Sequence, residues 1–377
     1  MNAQSALPDL PAVVRAFSIL GQYRSGASYG SGHINDTFAV VMDQAGTPVR
    51  YLLQRVNDRV FTNVPALMDN IQRVTAHATQ RAGEVAGDID ASRRCLTLVA
   101  ARDGLPYHRD AHGGWWRCYL FIEHARTYDV VNTPQQAMAA ARAFGEFQRL
   151  LVDLPGRRLH ETIPFFHDTR RRFQAFQRAV EADAHGRAAQ ARNEIEFALQ
   201  REPLVDTLLS LQGRGEIPER VTHNDTKFNN VMLDDETQAA ICVIDLDTVM
   251  PGIALNDFGD MVRSATNSAA EDERELSIVH ARLPIFESLV EGYLSAARPF
   301  LNEAEIAHLA ISGQVITFEI GLLFLTDFLA GDTYFKIKRP GHNLDRAANQ
   351  FALVRSLESQ RSVMEAIVTR QVEARGC

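Results

Sequence analysis

The octapeptide His223-Asn224-Asp225-Thr226-Lys227-Phe228-Asn229-Asn230 sets an aspartate, a lysine two residues on and an asparagine five residues on in one short polar stretch. Those types at those offsets suit in-line transfer of a phosphoryl group. Asp225 can accept the hydroxyl proton of an attacking alcohol. Lys227 can face the phosphate in transit, and Asn230 can reach a magnesium ion held by a triphosphate. Fifteen residues past Asn230, the apolar run Ala239-Ala240-Ile241-Cys242-Val243-Ile244 ends in Asp245. The end of a short buried strand is a rigid place for a second oxygen ligand to a hard cation.

Lysine usage sharpens the assignment. Of 39 basic residues only Lys227, Lys336 and Lys338 are lysines, the rest being arginine. A lysine kept at the motif position in so arginine-biased a chain marks a need for a compact ammonium rather than a planar fork. A literal Asp257-Phe258-Gly259 also occurs, 32 residues after Asp225, whereas Asp245 lies 20 after it. The shorter interval fits a loop plus a hairpin, so Asp245 is read as the metal carboxylate. Asp257 is expected to open a helix and cap it.

Several elements must hold these groups. Thr37 to Met42 and Val49 to Val56 read as a hairpin around Asp43-Gln44-Ala45-Gly46. Val64 to Ala78 has apolar residues at helical spacing, and Cys95 to Ala100 and Trp116 to Ile122 read as further strands. Beyond Glu123 the pattern turns helical. Thr133-Pro134 starts one helix and Asp168 caps another. Ala189 to Leu211 predicts one or two more. Val231 to Leu233 and Ala240 to Ile244 form a hairpin, and Leu283 onward is almost wholly helical. The fold class expected is therefore α+β and bilobal, like a protein kinase. A small antiparallel-sheet lobe over 1–124 holds a nucleotide, and a larger helical lobe over 125–377 carries catalysis and the acceptor, with the nucleotide in the cleft between them.

Gly26-Ala27-Ser28-Tyr29-Gly30-Ser31-Gly32-His33-Ile34-Asn35 precedes the first hairpin strand, and its glycines let backbone amides approach a phosphate. It is not a P-loop, since no Gly-Lys-Ser or Gly-Lys-Thr occurs in the chain. A protein kinase would carry a lysine on its third strand, paired with a helix glutamate. Here no lysine precedes residue 227, the strand reads Tyr51-Leu52-Leu53-Gln54-Arg55-Val56, and the helix after it offers Asp69 and Asn70 but no glutamate. Gln54 or Arg55 must cover the phosphates, or the nucleotide is held differently; the missing lysine argues against a protein kinase.

Composition bounds the partners. With 377 residues, 46% hydrophobic and 23% charged, the chain has the make-up of an ordinary globular protein with room for two packed lobes. A net charge of −8 offers no basic footprint for nucleic acid. Arg170-Arg171-Arg172 reads as a solvated helix face. Cys95, Cys118, Cys242 and Cys377 form no metal-ligand or disulfide pattern, which predicts reduced thiols in a cytosolic enzyme. No signal peptide and no membrane span is expected.

These residues resemble the aminoglycoside phosphotransferase and choline kinase group of small-molecule kinases, and within it the N-acetylhexosamine 1-kinases. The resemblance runs through Gly32-His33-Ile34-Asn35, Leu53-Gln54, Phe121-Ile122-Glu123-His124 and Phe166-His167-Asp168-Thr169. It continues through Val221 to Asn230, Ile244-Asp245-Leu246-Asp247-Thr248, Met250-Pro251-Gly252 and Asp257-Phe258-Gly259-Asp260. It ends with Gly331-Asp332, Tyr334-Phe335 and Gly341-His342-Asn343-Leu344. The resemblance implies an ATP- and magnesium-dependent kinase of the anomeric hydroxyl of N-acetylglucosamine or N-acetylgalactosamine. The alternative is a kinase of the same fold for another small alcohol, such as an aminoglycoside, a choline-like amine or another sugar. It implies Asp225 as base with Lys227 beside it, and Asn230 and Asp245 as magnesium ligands. Gly30, Ser31, Gly32, Gln54, Ile122 and Glu123 fall to the nucleotide. Tyr334 and Asp247 fall to the sugar with Asp225, and His33 falls near either the sugar or the phosphates. The missing strand lysine is shared by that family. One departure stands out: before the Asp332-x-Tyr334 segment, where the family carries an arginine, this chain has Leu323.

Overall fold

The computed structural model describes residues 8–30, 34–86 and 93–375. The chain divides into two compact units. Unit 1 takes Met1–Ala125, Leu154–Ile163 and Cys242–Asp247, and unit 2 takes Arg126–Asp153, Pro164–Ile241 and Thr248–Cys377.

Unit 1 opens with α1 (Leu10–Arg15), capped by Asp9. Its strands are β1 (Gln22–Ser28), β2 (Asp36–Gln44), β3 (Thr47–Val56), β4 (His108–Arg109) and β5 (Trp115–Leu120), with α2 (Val64–Ala86) after β3. The strands form one sheet in the order β1-β2-β3-β5-β4, antiparallel throughout. The β2–β3 turn is two residues long, with Ala45 and Gly46 at φ 53° and 88°, and the Gly46 amide donates to the Asp43 side chain at 2.7 Å. Positive φ at both positions matches the twist of the flanking strands. Alternate residues Phe38, Val40 and Met42 of β2 and Tyr51 and Leu53 of β3 are buried with Leu10, Val13, Phe17, Trp116 and Cys118 in one core. That is the period-2 pattern of a sheet with one packed face.

Three sequence expectations need correction here. β1 was hidden because Gln-Tyr-Arg-Ser-Gly-Ala-Ser is almost wholly exposed and lacks apolar alternation. Gly26 therefore lies in a strand, not in the loop, and a Cβ there would sit 2.8 Å from a Leu10 methyl. Its role is close packing of α1. Cys95 to Ala100 makes no ladder: it meets β5 through the bonds Val99 N to Cys118 O and Leu120 N to Thr97 O, at 2.9 and 3.0 Å, and a lone bridge. The helix from Val64 continues to Ala86 rather than stopping at Ala78, since no proline interrupts it.

Between the units the chain runs through β6 (Ala125–Arg126). Unit 2 holds α3 (Pro134–Leu150), capped by Thr133, and α4 (Thr169–Ala182), capped by Asp168. Then come α5 (Arg192–Leu199), α6 (Thr207–Gly213), β7 (Arg220–Thr222) and β8 (Val231–Asp234). β9 (Ala240–Val243) carries the chain into unit 1, and β10 (Met250–Gly252) returns to pair antiparallel with β7. The remainder is α7 (Ala254–Thr266), α8 (Leu283–Ala297), α9 (Glu303–Ala307), α10 (Leu309–Leu329) and α11 (His342–Glu373). Phe173 and Phe176 of α4, Phe318, Leu322 and Leu325 of α10 and Phe351 of α11 share a buried core. Among the described residues α10 is the one helix long and apolar enough to cross a membrane, yet 83% of its apolar window is buried inside the protein. It is a core helix by that measure. The Arg170-Arg171-Arg172 run is not a plain solvated face: Arg170 bonds Asp206 and Glu202, and Arg172 donates to the Phe166 carbonyl at 2.9 Å.

Candidate active site

The loop from β7 to β8 lies in unit 2. His223 is buried, edge-on to Phe144 and Phe147 with ring centroids at 5.4 and 5.9 Å. Asn224 sits at φ 64°, a left-handed conformation that asparagine tolerates better than most residues. Its side-chain amide donates to the Thr248 carbonyl at 2.9 Å, and the Thr248 hydroxyl donates to the His223 carbonyl at 2.7 Å. Asp225 follows, with Lys227 Nζ 2.8 Å from its Oδ1. Asn230 Nδ2 donates to the Asp225 carbonyl at 2.8 Å and to its Oδ2 at 3.1 Å. The three sequence-predicted residues Asp225, Lys227 and Asn230 thus converge.

Burial pushes the Asp225 carboxyl up, but Lys227, His223 and Arg263 together hold it below the usual aspartate range. Asp225 in turn holds the Lys227 ammonium above the ordinary lysine value. Side-chain exposures of 25% for Asp225 and 44% for Lys227 leave both reachable from solvent. The result is an ionised carboxylate beside a cation, at the surface of a buried frame.

Asp257 belongs to that frame and is not a cap. Ile253 occupies the N-cap position of α7, and Asp257 is fully buried one turn in. Its Oδ2 accepts from the His223 amide at 2.9 Å and from Gln148 Nε2 at 2.6 Å, and its Oδ1 accepts from the Asn224 amide at 2.6 Å. The Thr226 hydroxyl donates to its carbonyl at 2.6 Å. Burial pushes this carboxyl above its ordinary value against the pull of His223 and these donors. Asp257→Asn presents an amide NH2 to backbone N–H groups, which costs about 1–3 kcal/mol for each donor left unpaired. We expect a clearly lowered melting temperature with an unchanged magnesium requirement; a normal melt with a raised requirement would make Asp257 the metal carboxylate.

A second ordered loop in unit 2 displays Tyr334. The Asp327 carboxylate at the end of α10 accepts from the backbone amides of Thr333, Tyr334 and Phe335 at 2.8, 2.8 and 2.9 Å, and from Asn343 Nδ2 at 2.9 Å. Asp332, at φ 61°, is held by Arg187 at 2.6 Å and by Asn343 at 2.9 Å. Tyr334 is 66% exposed, packed edge-on to Phe335. The backbone bonds to Asp327 fix the loop that presents this aromatic ring to water. Asp327 escaped the sequence reading; an aspartate in the last turn of an apolar helix was the available signal.

Asp245 lies in unit 1, just past β9, at φ 59°. Two residues on, Asp247 is buried. Its Oδ2 accepts from Asn35 Nδ2 at 2.6 Å, its other oxygen binds Arg117, and its carbonyl accepts from the Thr162 hydroxyl at 3.1 Å. Arg117 Nε donates to Gln54 Oε1 at 2.9 Å, and Gln54 Nε2 donates to the Thr37 hydroxyl at 3.0 Å. Gln54, expected over the phosphates, and Asp247, expected at the sugar, therefore have their polar atoms engaged inside unit 1. Arg117, 1% exposed, was missed, although an arginine inside Trp-Trp-Arg-Cys-Tyr-Leu asks for a buried partner. Of the α2 pair, Asn70 is buried and exchanges bonds with the His160 backbone at 2.8 and 2.9 Å, while the half-buried Asp69 meets the His160 ring at 3.0 Å.

Gly30 has φ 77° with open space around it, as a loop glycine should. Ser31, Gly32 and His33 lie outside the described residues. Ile122 is buried, while Glu123 is exposed and pairs with Arg50, which holds its carboxyl below the ordinary glutamate range. The Glu123 carbonyl accepts from Arg93 at 3.0 Å.

An antiparallel sheet, a helical unit and an aspartate-lysine-asparagine loop point to a phosphotransferase of protein-kinase-like fold. The chain belongs to the phosphotransferase enzyme family, whose sequence profile it matches over residues 26–291. It is a small-molecule kinase of that family. Solved structures share the fold at low identity. An aminoglycoside phosphotransferase from Alicyclobacillus acidocaldarius is 13% identical with a TM-score of 0.58, the match covering 99% of each chain. A choline/ethanolamine kinase family protein from Mesorhizobium loti is 17% identical with a TM-score of 0.52, covering 95% of this chain and 97% of that one. A spectinomycin phosphotransferase, solved with ADP and spectinomycin, is 11% identical with a TM-score of 0.53, covering 90% and 94%.

Proposed function

We propose that the protein transfers the γ-phosphoryl group of ATP to the anomeric hydroxyl of an N-acetylhexosamine, N-acetylglucosamine or N-acetylgalactosamine. The observation that carries the transfer step is the ionised Asp225, held between Lys227 and Asn230. Asp225 takes the proton of the sugar hydroxyl as its oxygen bonds to the γ-phosphorus; the bond from phosphorus to the β–γ bridging oxygen breaks, and ADP leaves with that electron pair. Lys227 can turn from Asp225 toward the phosphoryl oxygens as negative charge spreads over them.

The protein offers oxygen ligands suited to magnesium in Asn230 and Asp245. Among the described residues no three His, Cys, Asp or Glu side chains cluster as a metal cage. Two protein oxygens with the rest supplied by phosphate and water is how magnesium is usually held at such sites. The ion, when bound, would neutralise phosphate charge and orient the γ-phosphoryl group. Gly30 and its neighbours Ser31 and Gly32 are assigned to the phosphates, and Ile122 and Glu123 to the nucleotide base. Tyr334 is assigned to the sugar ring, with His33 beside the sugar or the phosphates. Gln54 and Asp247 are read as the frame of the Asp245 segment.

A neutral sugar must be recognised by hydrogen bonds and stacking, and a site built that way discriminates sharply against an acceptor lacking a needed hydroxyl. Turnover is expected with free N-acetylglucosamine or N-acetylgalactosamine and little with their 1-O-methyl glycosides, read as product by phosphorus NMR. Phosphate on the 6-position, or turnover with choline or an aminoglycoside alone, would defeat the anomeric reading. Leu323 lies on α10 one turn before Asp327. Leu323→Arg is expected to lower the Michaelis constant for acetamido sugars by restoring donors.

A further inference from the structure

Between α4 and α10 lies a buried polar cluster that the transfer step does not use. His167 Nδ1 is 2.9 Å from Glu319 Oε1, and His167 Nε2 is 3.3 Å from the Asn224 carbonyl oxygen. The Thr169 hydroxyl donates to Glu319 Oε2 at 2.5 Å. The His167 side chain is 7% exposed and that of Glu319 is not exposed at all. A carbonyl oxygen only accepts, so Nε2 must carry a hydrogen; an ionised Glu319 also only accepts, so Nδ1 must carry one as well. Set between a carboxylate and a carbonyl oxygen, the ring is placed as an imidazolium would be. A buried ion pair is costly to desolvate and is weak evidence for stability, which invites a functional reason for this one.

That reason lies in where the second nitrogen points. The Asn224 carbonyl belongs to the peptide that joins the left-handed Asn224 to Asp225. Its residue is held on the amide side by Asp257. On the carbonyl side the protein partner is His167. A left-handed non-glycine residue is strained and persists where its surroundings over-determine it. Turning that peptide would swing the Asp225 carboxylate away from its target.

We propose that His167 and Glu319 are positioning residues for the catalytic loop: Glu319 pins the imidazolium, the imidazolium holds the Asn224 carbonyl, and that peptide aims the Asp225 side chain. The proposal rests on the reading of Asp225 as base. Two carboxylates act on His167, Glu319 from α10 and Asp260 from α7, with the Asn224 carbonyl from the loop. Burial pushes the imidazolium toward losing its proton, but these groups prevail and raise its pKa above the ordinary histidine value. The hold is thus complete at low pH and is lost as pH rises through that raised value.

The test uses the full chain, ATP and the best acceptor from the sugar panel, with His167→Phe, His167→Gln, Glu319→Gln and Asp225→Asn. ATP affinity and thermal melts are measured beside kcat, KM and their pH profiles. His167→Phe is expected to lower kcat about 100-fold, the scale of a misplaced reacting group, with ATP affinity unchanged. His167→Gln, which keeps one donor, should recover part of that loss. Glu319→Gln should move the alkaline fall of kcat to lower pH. Either histidine variant melting normally with kcat within twofold of the parent would overturn the proposal. So would an alkaline limb that Glu319→Gln leaves in place, or losses that merely follow the unfolded fraction. If Asp225→Asn is inactive while the histidine variants are normal, positioning fails and the base survives; an active Asp225→Asn removes the base itself.

Discussion

Asp225→Asn is expected to leave the fold and ATP binding nearly intact and to cut turnover about 10²–10⁴-fold, the loss for removing a general base. The amide keeps the size of the carboxylate, and its one oxygen can still accept from Lys227 or from Asn230, though not from both, since its NH2 only donates. It cannot take the proton of the acceptor hydroxyl. The pH profile supplies an independent check. Lys227, His223 and Arg263 outweigh burial and hold Asp225 below the ordinary aspartate range, so the base is ionised throughout the neutral region. On the acid side activity is then lost as pH falls through that depressed value, so the acid limb should lie below the ordinary aspartate pKa of about 3.9. Asp225→Asn with more than half the parent turnover would sink the assignment.

Asp245→Ala is expected to abolish magnesium-dependent turnover, because a hard cation loses a charged oxygen ligand. Alanine also strains a backbone at φ 59°. Asp245→Asn is the cleaner companion, since asparagine tolerates that conformation and keeps one oxygen without the charge. Partners one shell further out typically cost 10–100-fold in metal affinity, so the magnesium needed for half-maximal rate should rise by at least about 10-fold in Asp245→Asn. A magnesium titration of both variants beside the parent decides it. An unchanged titration in Asp245→Asn would move the metal carboxylate elsewhere.

Local signals carried much of this protein. The octapeptide 223–230 was legible because its chemistry needs fixed residue types at fixed offsets, and the loop does bring Asp225, Lys227 and Asn230 together. Thr133 and Asp168 cap their helices as read, because a capping side chain acts on amides only three residues away. The β2–β3 hairpin followed from alternation and a turn that accepts positive φ. The helical character beyond Glu123 followed from periodicity, and the phosphotransferase family from motifs spread over most of the chain.

What depends on residues far apart in the chain was decided only by the tertiary structure. Asp257 looked like a cap because its helix is nearby in sequence; its partners His223 and Asn224 lie more than thirty residues earlier and Gln148 more than a hundred. The sequence points Asp247 toward the sugar by resemblance; that Arg117 and Asn35, from two other parts of unit 1, bind its oxygens was not legible there. Glu319 is a polar position in an apolar helix, and its tie through His167 to the 223–230 loop joins three stretches of chain far apart in sequence. The physical reason is the same in each case. A buried carboxylate must be paired, but the chain order does not say with what, because its partner comes from whichever segment folding packs against it.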